Sequence, residues 1–305
     1  MLLSVNSLRK SFRNIEAVHD LSFSIEPGDV FAFLGPNGAG KTTTIRILLD
    51  IIRADHGEIT WNFSGKKSLT PPPHLTGYLP EERGLYTDVP IIRSLVYLAS
   101  IRGMEPAAAR KAAMNWLERM ELADRANEKL QVLSKGNQQK VQFIASIIHQ
   151  PAFAILDEPF SGLDPLNQEK FIETIRELNV TGTTVLLSSH QMGLVEKIAQ
   201  KILLIHKGKA IYQGTIAGIY ENAGISQQLE ISFSSGLPET SLRMLKEAGE
   251  ITSSTDRSVL LLLKPGMKMN KALELISSLE GITSIRSQNS SLHELFLSMV
   301  KQQQS

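Results

Sequence analysis

The sequence predicts an α/β fold in two parts, a larger α/β unit over residues 1–222 and a smaller α+β unit over 223–305. Three observations carry that reading. The run Gly35-Pro36-Asn37-Gly38-Ala39-Gly40-Lys41-Thr42-Thr43 lies between an apolar, β-prone segment (Val30, Phe31, Phe33, Leu34) and a stretch from Thr44 to Leu49 that lacks Gly and Pro. From Pro90 to about Gln150 the apolar spacing becomes helical, after which short strand-like runs resume. Beyond residue 226 the alternation reads strand, helix, strand, strand, helix, strand.

Taken in order, residues 3–34 read as strands joined by turns. Val18, Leu21, Phe23 and Ile25 mark a half-buried strand, and Glu26-Pro27-Gly28-Asp29 a turn. Ahead of it Phe12 stands alone among polar neighbours; without further context it would be ordinary core. The glycine run fits Gly-x-x-x-x-Gly-Lys-Thr, and its strand–loop–helix setting makes it a phosphate cradle. Glycines let successive N–H groups turn inward at a helix N-terminus, forming an anion nest. Lys41 adds a charge toward the β- and γ-phosphates, and the Thr42 hydroxyl is placed for Mg²⁺. A glycine-rich turn that happened to end in Lys-Thr would need neither flanking element.

Thr60-Trp61-Asn62 ends a further strand, Pro71-Pro72-Pro73 marks a loop, and Gly77-Tyr78-Leu79-Pro80-Glu81-Glu82 is a short strand entering a polar turn. In the helical insert Ile92, Leu95, Val96 and Ala99 form one apolar face, and Ala113, Trp116, Leu117 and Met120 another, both read as core. Leu133-Ser134-Lys135-Gly136-Asn137-Gln138-Gln139-Lys140 follows, then a buried strand from Phe153 closing on Asp157-Glu158. After Ser161-Gly162-Leu163-Asp164-Pro165 come a helix, a strand ending in Ser188-Ser189-His190, two short strands and a helix closing near Ala223.

Composition narrows the function classes. There are 32 Lys and Arg against 31 Asp and Glu, a net charge of +1, so no whole-chain field draws nucleic acid or anionic lipid. The absence of cysteine excludes thiolate catalysis and disulfide staples and fits a reducing compartment. Residues 1–10 lack the apolar core of a signal peptide. No apolar run approaches the roughly 20 residues needed to cross a bilayer, so a membrane role is expected to come through a partner.

Together these motifs resemble the ATP-binding cassette of ABC transporters over residues 1 to about 222. The glycine loop is shared by many NTPases. Leu133-Ser134-x-Gly136 ahead of an Asp-Glu strand end, with His190 closing a later strand, is far more specific. The resemblance implies a P-loop NTPase with a RecA-like core, an antiparallel β-subdomain and a helical subdomain over about 88–150. It implies ATP and Mg²⁺ as cofactors, with Thr42, Asp157 and Glu81 toward the metal. Glu158 is similar to the catalytic carboxylate that polarises the attacking water, and His190 to the switch histidine at the γ-phosphate. Phe12 matches the adenine-stacking aromatic, usually Tyr, with Val18 against the same ring. Ser134, Lys135, Gly136 and Asn137 resemble the signature that reaches the nucleotide of a second cassette, and Asp164 the adjoining D-loop. Two residues depart from the pattern: Glu81 stands where many cassettes have Gln, and Lys135 where the signature has Gly. Of the two settings for Lys135, the opposing nucleotide or solvent, solvent is favoured because a lysine head prefers water.

The tail reads as a small ferredoxin-like domain with helix faces at Leu242, Leu245, Ala248 and at Leu273, Ile276, Leu279. Its last helix, opening at Ser291, is similar to the ending of ABC-2-type exporter ATPases, and His293 reads as a surface residue. The resemblance therefore implies a cytoplasmic ATPase, peripheral on the inner face of the cell membrane through a separate permease, dimerising with itself or a sister cassette. No nucleic acid partner is expected. A soluble ABC ATPase acting on DNA would carry long coiled coils, and the segment from Glu81 to Ser134 shows no heptads. One acting on ribosomes would normally join two cassettes in one chain. A GTPase is disfavoured by the lack of an Asn-Lys-x-Asp element.

Overall fold

The structure, a computed structural model, describes residues 1–82, 84–222, 228–234, 239–264, 267, 269–288 and 291–302. It divides into two compact units, Met1–Ile216 and Ala217–Ser305. The boundary read at 222–223 adjoins residues 223–227, which lie outside the described ones.

The first unit opens with β1 (Leu3–Phe12), β2 (Ile15–Ile25), β3 (Val30–Leu34) and α1 (Lys41–Leu48). Then come β4 (His56–Phe63), β5 (Lys66–Ser68), β6 (Thr76–Leu79), α2 (Ile91–Ile101), α3 (Pro106–Arg119) and α4 (Lys135–Ile147). It continues through β7 (Phe153–Asp157), α5 (Pro165–Val180), β8 (Thr184–Ser189), the single turn α6 (Met192–Val195), β9 (Lys201–His206) and β10 (Lys209–Thr215). Helix α7 (Ile216–Asn222) spans the division.

Two sheets form this unit. The first is antiparallel in the order β2-β1-β4-β5. Its register slips between Val5 and Leu8 and again between Leu8 and Lys10, so Leu8 pairs with Leu21 and Lys10 with Val18. Bulges of this kind turn residues three apart to one face, which is why Val18 and Leu21 both enter the core. The second sheet has the order β10-β9-β3-β8-β7-β6, parallel except for β10. β3, β7 and β8 are buried along their whole length, as expected of strands covered on both faces. Asp157 ends a strand parallel to the glycine-loop strand, with β8 between them; Phe33 and Asp157 both pair with Ser188. The C-terminal ends of these strands make the crevice where α/β sheets place their ligands.

Helix faces in the insert follow the expected stripes with one correction. Ala109, Ala113, Leu117 and Met120 are buried on the α3 side, whereas Trp116 is half-exposed and carries the Arg119 guanidinium 4.5 Å above its ring. A large aromatic one turn before the helix end can bury one face under a neighbouring cation and leave the other to water, and helical spacing alone does not distinguish that from core.

The second unit has β11 (Gln228–Phe233), α8 (Glu239–Ala248), β12 (Gly249–Ser254), β13 (Ser258–Leu263), α9 (Met269–Ser277), β14 (Ile282–Gln288) and α10 (Leu292–Gln302). Its strands form one antiparallel sheet in the order β12-β13-β11-β14. Leu229, Ile231, Phe233, Val259, Leu261 and Leu263 meet Leu245, Ala248, Ala272 and Ile276 in a separate core. On α9 the inward pair is Ala272 and Ile276, while Leu273, expected inside, is exposed. At the start of α10 the Ser291 N–H donates to Glu294 and the Glu294 N–H to Ser291 Oγ, a capping box.

Candidate functional site

The glycine loop joins the end of β3 to α1, and α1 begins at Lys41 itself, so the motif's last residues are the first turn. Gly40 has φ 105°, and a Cβ there would lie 2.3 Å from the Ala17 carbonyl oxygen. Only glycine accepts both the left-handed backbone and that approach. Gly40 is the N-cap and offers no side chain to the helix, and no acid sits in the first turn. The first N–H groups of α1 thus face a cavity of about 270 Å³ lined by Ala17, residues 37–43, Glu81 and Glu158. Lys41 is buried; its Nζ donates to the carbonyls of Gly35 (2.8 Å) and Pro36 (3.3 Å) and stands 3.6 Å from Glu158 Oε1.

The acids lie at the neighbouring strand end. Asp157 is fully buried; one carboxylate oxygen accepts from Ser188 Oγ, and Oδ2 has no hydrogen-bond partner. Burial pushes the Asp157 carboxyl above its ordinary range; the Ser188 hydrogen bond and the adjacent Thr42 hydroxyl oppose this, and the nearby Glu81 and Glu158 charges add to it. Thr42 Oγ1 donates to Glu81 Oε2 at 3.5 Å and stands beside Asp157, which draws Thr42, Glu81 and Asp157 into one group. Burial, helped by the Asp157 charge, raises the Tyr78 phenol to about 12.

Glu158 has φ 50°, a left-handed backbone that non-glycine residues adopt at some cost. Its N–H donates to the carbonyl of Ser188 at 3.1 Å and is 3.2 Å from the same residue's Oγ. That turn brings the Glu158 carboxylate back over the crevice. Oε1 faces Lys41, while Oε2 accepts from Ser189 Oγ at 3.4 Å and lies 3.0 Å from His190 Nδ1. Lys41, Glu158 and His190 therefore form a chain from the base of the glycine loop to the half-exposed imidazole.

A family model described as ABC transporter matches residues 18–161. The ABC transporter ATP-binding protein YhaQ of Bacillus subtilis is 42% identical over 223 residues, 73% of this chain and 74% of its own length. The chain belongs to the ABC transporter ATP-binding proteins. The Nod factor export ATP-binding protein I of Ralstonia nicotianae is 34% identical over 219 residues, 70% of this chain and 67% of its own. A solved structure described as the ATP binding subunit of an ABC transporter superposes with a TM-score of 0.66 at 28% identity, covering 73% of this chain and 94% of that one. The residues matched by the family model lie within the first unit, which thus carries the ATP-binding cassette of an ABC transporter ATPase.

Within the cassette, Ser134 is the N-cap of α4 and accepts from the Asn137 N–H at 3.3 Å. Ser134 and Lys135 are exposed, and a Cβ on Gly136 would come within 3.1 Å of the Gly162 carbonyl oxygen, so this segment packs on the Ser161–Asp164 turn. Asp164 caps α5 through the Asn167 N–H, and that bond holds its carboxyl below the usual range. Phe12 is 47% exposed, with Lys10 Nζ 5.4 Å from its ring centre. Val18, expected against that ring, is 1% exposed within the core, and Ala17 is the residue that lines the cavity.

Several residues of the site carry no motif. Ser188 and Ser189, read only as a strand end, hold Asp157 and Glu158. Their adjacency to His190 was the available signal. Gln139 and Gln142 are buried amides on α4 that donate to loop carbonyls beside Glu158 and Glu81 respectively. Polar side chains among Val141, Phe143 and Ile144 could have marked them.

Proposed function

We propose that this cassette hydrolyses ATP to power a separate transmembrane permease of the ABC-2 type, and that the transport is export. The observation that supports the chemistry best is the chain from buried Lys41 and Glu158 to the half-exposed His190, beside a helix N-terminus whose N–H groups open on one cavity. The loop N–H groups and Lys41 bind the phosphates, and Phe12 stacks on the base. Glu158 accepts the proton of the attacking water, a role worth typically 10²–10⁴-fold, and His190 orients that carboxylate at the γ-phosphate.

Asp157, Thr42 and Glu81 would hold Mg²⁺. The fit rests on Asp157 Oδ2, a buried carboxylate oxygen without a hydrogen-bond partner, next to the Thr42 hydroxyl. Among the described residues no group of three or more acidic, His or Cys side chains could hold an ion alone, which suits Mg²⁺, a metal that takes most of its ligands from phosphate and water. Bound there, it would neutralise phosphate charge.

One chain carries one glycine loop and one signature. Ser134 to Asn137 act on the nucleotide of a second cassette, identical or sister, with Asp164 at the same interface; their exposure supports this. The export reading leans on the Nod factor export relative. The second unit is an accessory domain whose strand order β12-β13-β11-β14 supports the ferredoxin-like reading. Among the described residues no helix is long and apolar enough to cross a membrane, which supports a peripheral position at the cytoplasmic face, held by the permease. Affinity capture of the chain from detergent-solubilised membranes tests the reading. A multi-span protein should co-purify and raise the ATPase rate. Recovery with ribosomes or DNA, and not with membranes, overturns it.

A further inference from the structure

Helix α4 presents two amides three residues apart, on one face. Gln139 is 3% and Gln142 4% exposed, in a helix where Val141, Phe143, Ile144 and Ile147 are fully buried. Amides are costly in such a setting unless they are hydrogen-bonded, and these are. Gln142 Nε2 donates to the carbonyls of Pro80 and Glu82, both at 3.1 Å, the two peptide oxygens that flank Glu81. Gln139 Nε2 donates to the carbonyl of Pro159 at 3.1 Å, directly after Glu158. The same helix is capped by Ser134 at its exposed end.

We propose that Gln139 and Gln142 are positioning residues that tie α4 to the two loops beside the γ-phosphate. Nucleotide seated in one chain thereby sets the place of the Ser134 which that chain offers to its partner. The proposal rests on the cassette-dimer reading above. Its physical basis is stiffness: from Ser134 to Gln142 is little more than two helical turns, so a shift of the Pro80–Glu82 backbone moves the helix end with it. Because Gln142 holds main-chain oxygens, the tie does not depend on the side chain at position 81. A Glu can therefore stand where many cassettes have Gln, and the link to the signature stays intact.

The test uses the full chain. Hydrogen exchange is followed with and without Mg-ATP, at protein concentrations where single chains predominate. In the unmodified chain ATP should slow exchange in the glycine loop and also in the first turn of α4. Gln142→Met keeps the length of the side chain and removes the amide. ATP should then still protect residues 35–45 while α4 no longer responds. In a Glu158→Gln background the ATP concentration for half-maximal dimer should rise by at least about fivefold, as the loss of two buried hydrogen bonds implies. Should the Met variant fail to fold, Gln142→Asn withdraws the amide by one methylene and should give the same loss. Asn179→Leu is the control: it removes an amide bonded to the carbonyls of Gly28 (2.8 Å) and Thr183 (3.1 Å) at the opposite end of the sheet, and α4 should respond normally. The proposal is overturned if α4 responds to ATP in Gln142→Met as in the unmodified chain, if it never responds in the unmodified chain, or if the control abolishes the response equally. A Glu158→Gln chain that never dimerises with ATP would sink the dimer reading, while exchange within the single chain would still decide the tie.

Discussion

In the second unit β13 alternates half-buried and buried residues from Ser258 to Leu263, and its inward positions are all apolar. Apart from Ser241, the buried side chains among its described residues are apolar as well. The central strands of the cassette do the opposite at one end. β7 and, past Thr184, β8 are apolar until their ends, where Asp157, Ser188 and Ser189, with Glu158 just beyond β7, lie buried together. The first arrangement follows the local rules of sheet packing. The second departs from them, with a partnerless carboxylate oxygen and a left-handed glutamate, and such departures cluster where charge chemistry is done. Stability is concentrated in one kind of strand and chemistry at the end of the other.

The largest expected effect is at Glu158. Replacing it with Gln keeps shape and removes the group proposed to activate water, so steady-state turnover should fall by about 100-fold or more. Lys41, Thr42 and Asp157 remain, and with carboxylate–phosphate repulsion gone an ATP-dependent dimer should appear in size-exclusion chromatography. Lys41→Ala should instead lose nucleotide affinity and never dimerise. Near-normal turnover in Glu158→Gln would move the base to another residue, with His190 next.

Leu261→Ala probes the other side of the comparison. Leu261 is fully buried, and its truncation should cost about 2–5 kcal/mol in denaturant unfolding of the second unit. ATP affinity, read by titration, should not change. A matching loss of affinity would show that the tail contributes to the site.

At Asp157 stability and function should separate. Burial raises this carboxyl, so the folded chain holds the proton more tightly than the unfolded chain does. Its contribution to stability is full below the ordinary carboxylate range and is lost as pH rises through the raised folded value. Asp157→Asn should therefore melt with the parent at low pH and above it near neutrality, by about 1 kcal/mol or more, the cost of an unsatisfied buried group. Hydrolysis should fall in the same variant. A stability difference independent of pH would show that the buried carboxylate carries no penalty.

Phe12→Ala gives the smallest effect. An exposed ring stacking on a base contributes about 0.5–1.5 kcal/mol, so the KM for ATP should rise only a few-fold. The KM for GTP should rise equally, since a phenylalanine donates no hydrogen bond to tell the bases apart; an effect confined to ATP would refute simple stacking.

Much of this was legible in residues close in sequence. Strand, glycine loop and helix depend on neighbours, although the helix read from Thr44 begins at Lys41. The succession of strands and helices along the second unit followed from alternation and helical spacing. Errors arose at single positions: Trp116 and Leu273 had the right spacing for core, yet on the α3 side only Ala113, Leu117 and Met120 of the expected face are buried, and α9 turns Ala272 inward in place of Leu273.

By itself the sequence determined what short-range chemistry determines: a left-handed glycine loop, a helix N-terminus for phosphate, two acids at a strand end, and a final helix with its own cap. Tertiary structure decided which of those groups meet. The slipped register of β1 on β2 buried Val18 and left Ala17 at the cavity. The insertion of β8 between β3 and β7 set Ser188 against Asp157. Packing of α4 placed Gln142 on the carbonyls around Glu81, sixty residues earlier in the chain. Register, strand order and helix rotation are each set by the joint packing of many side chains distant in sequence, and no local pattern encodes that sum.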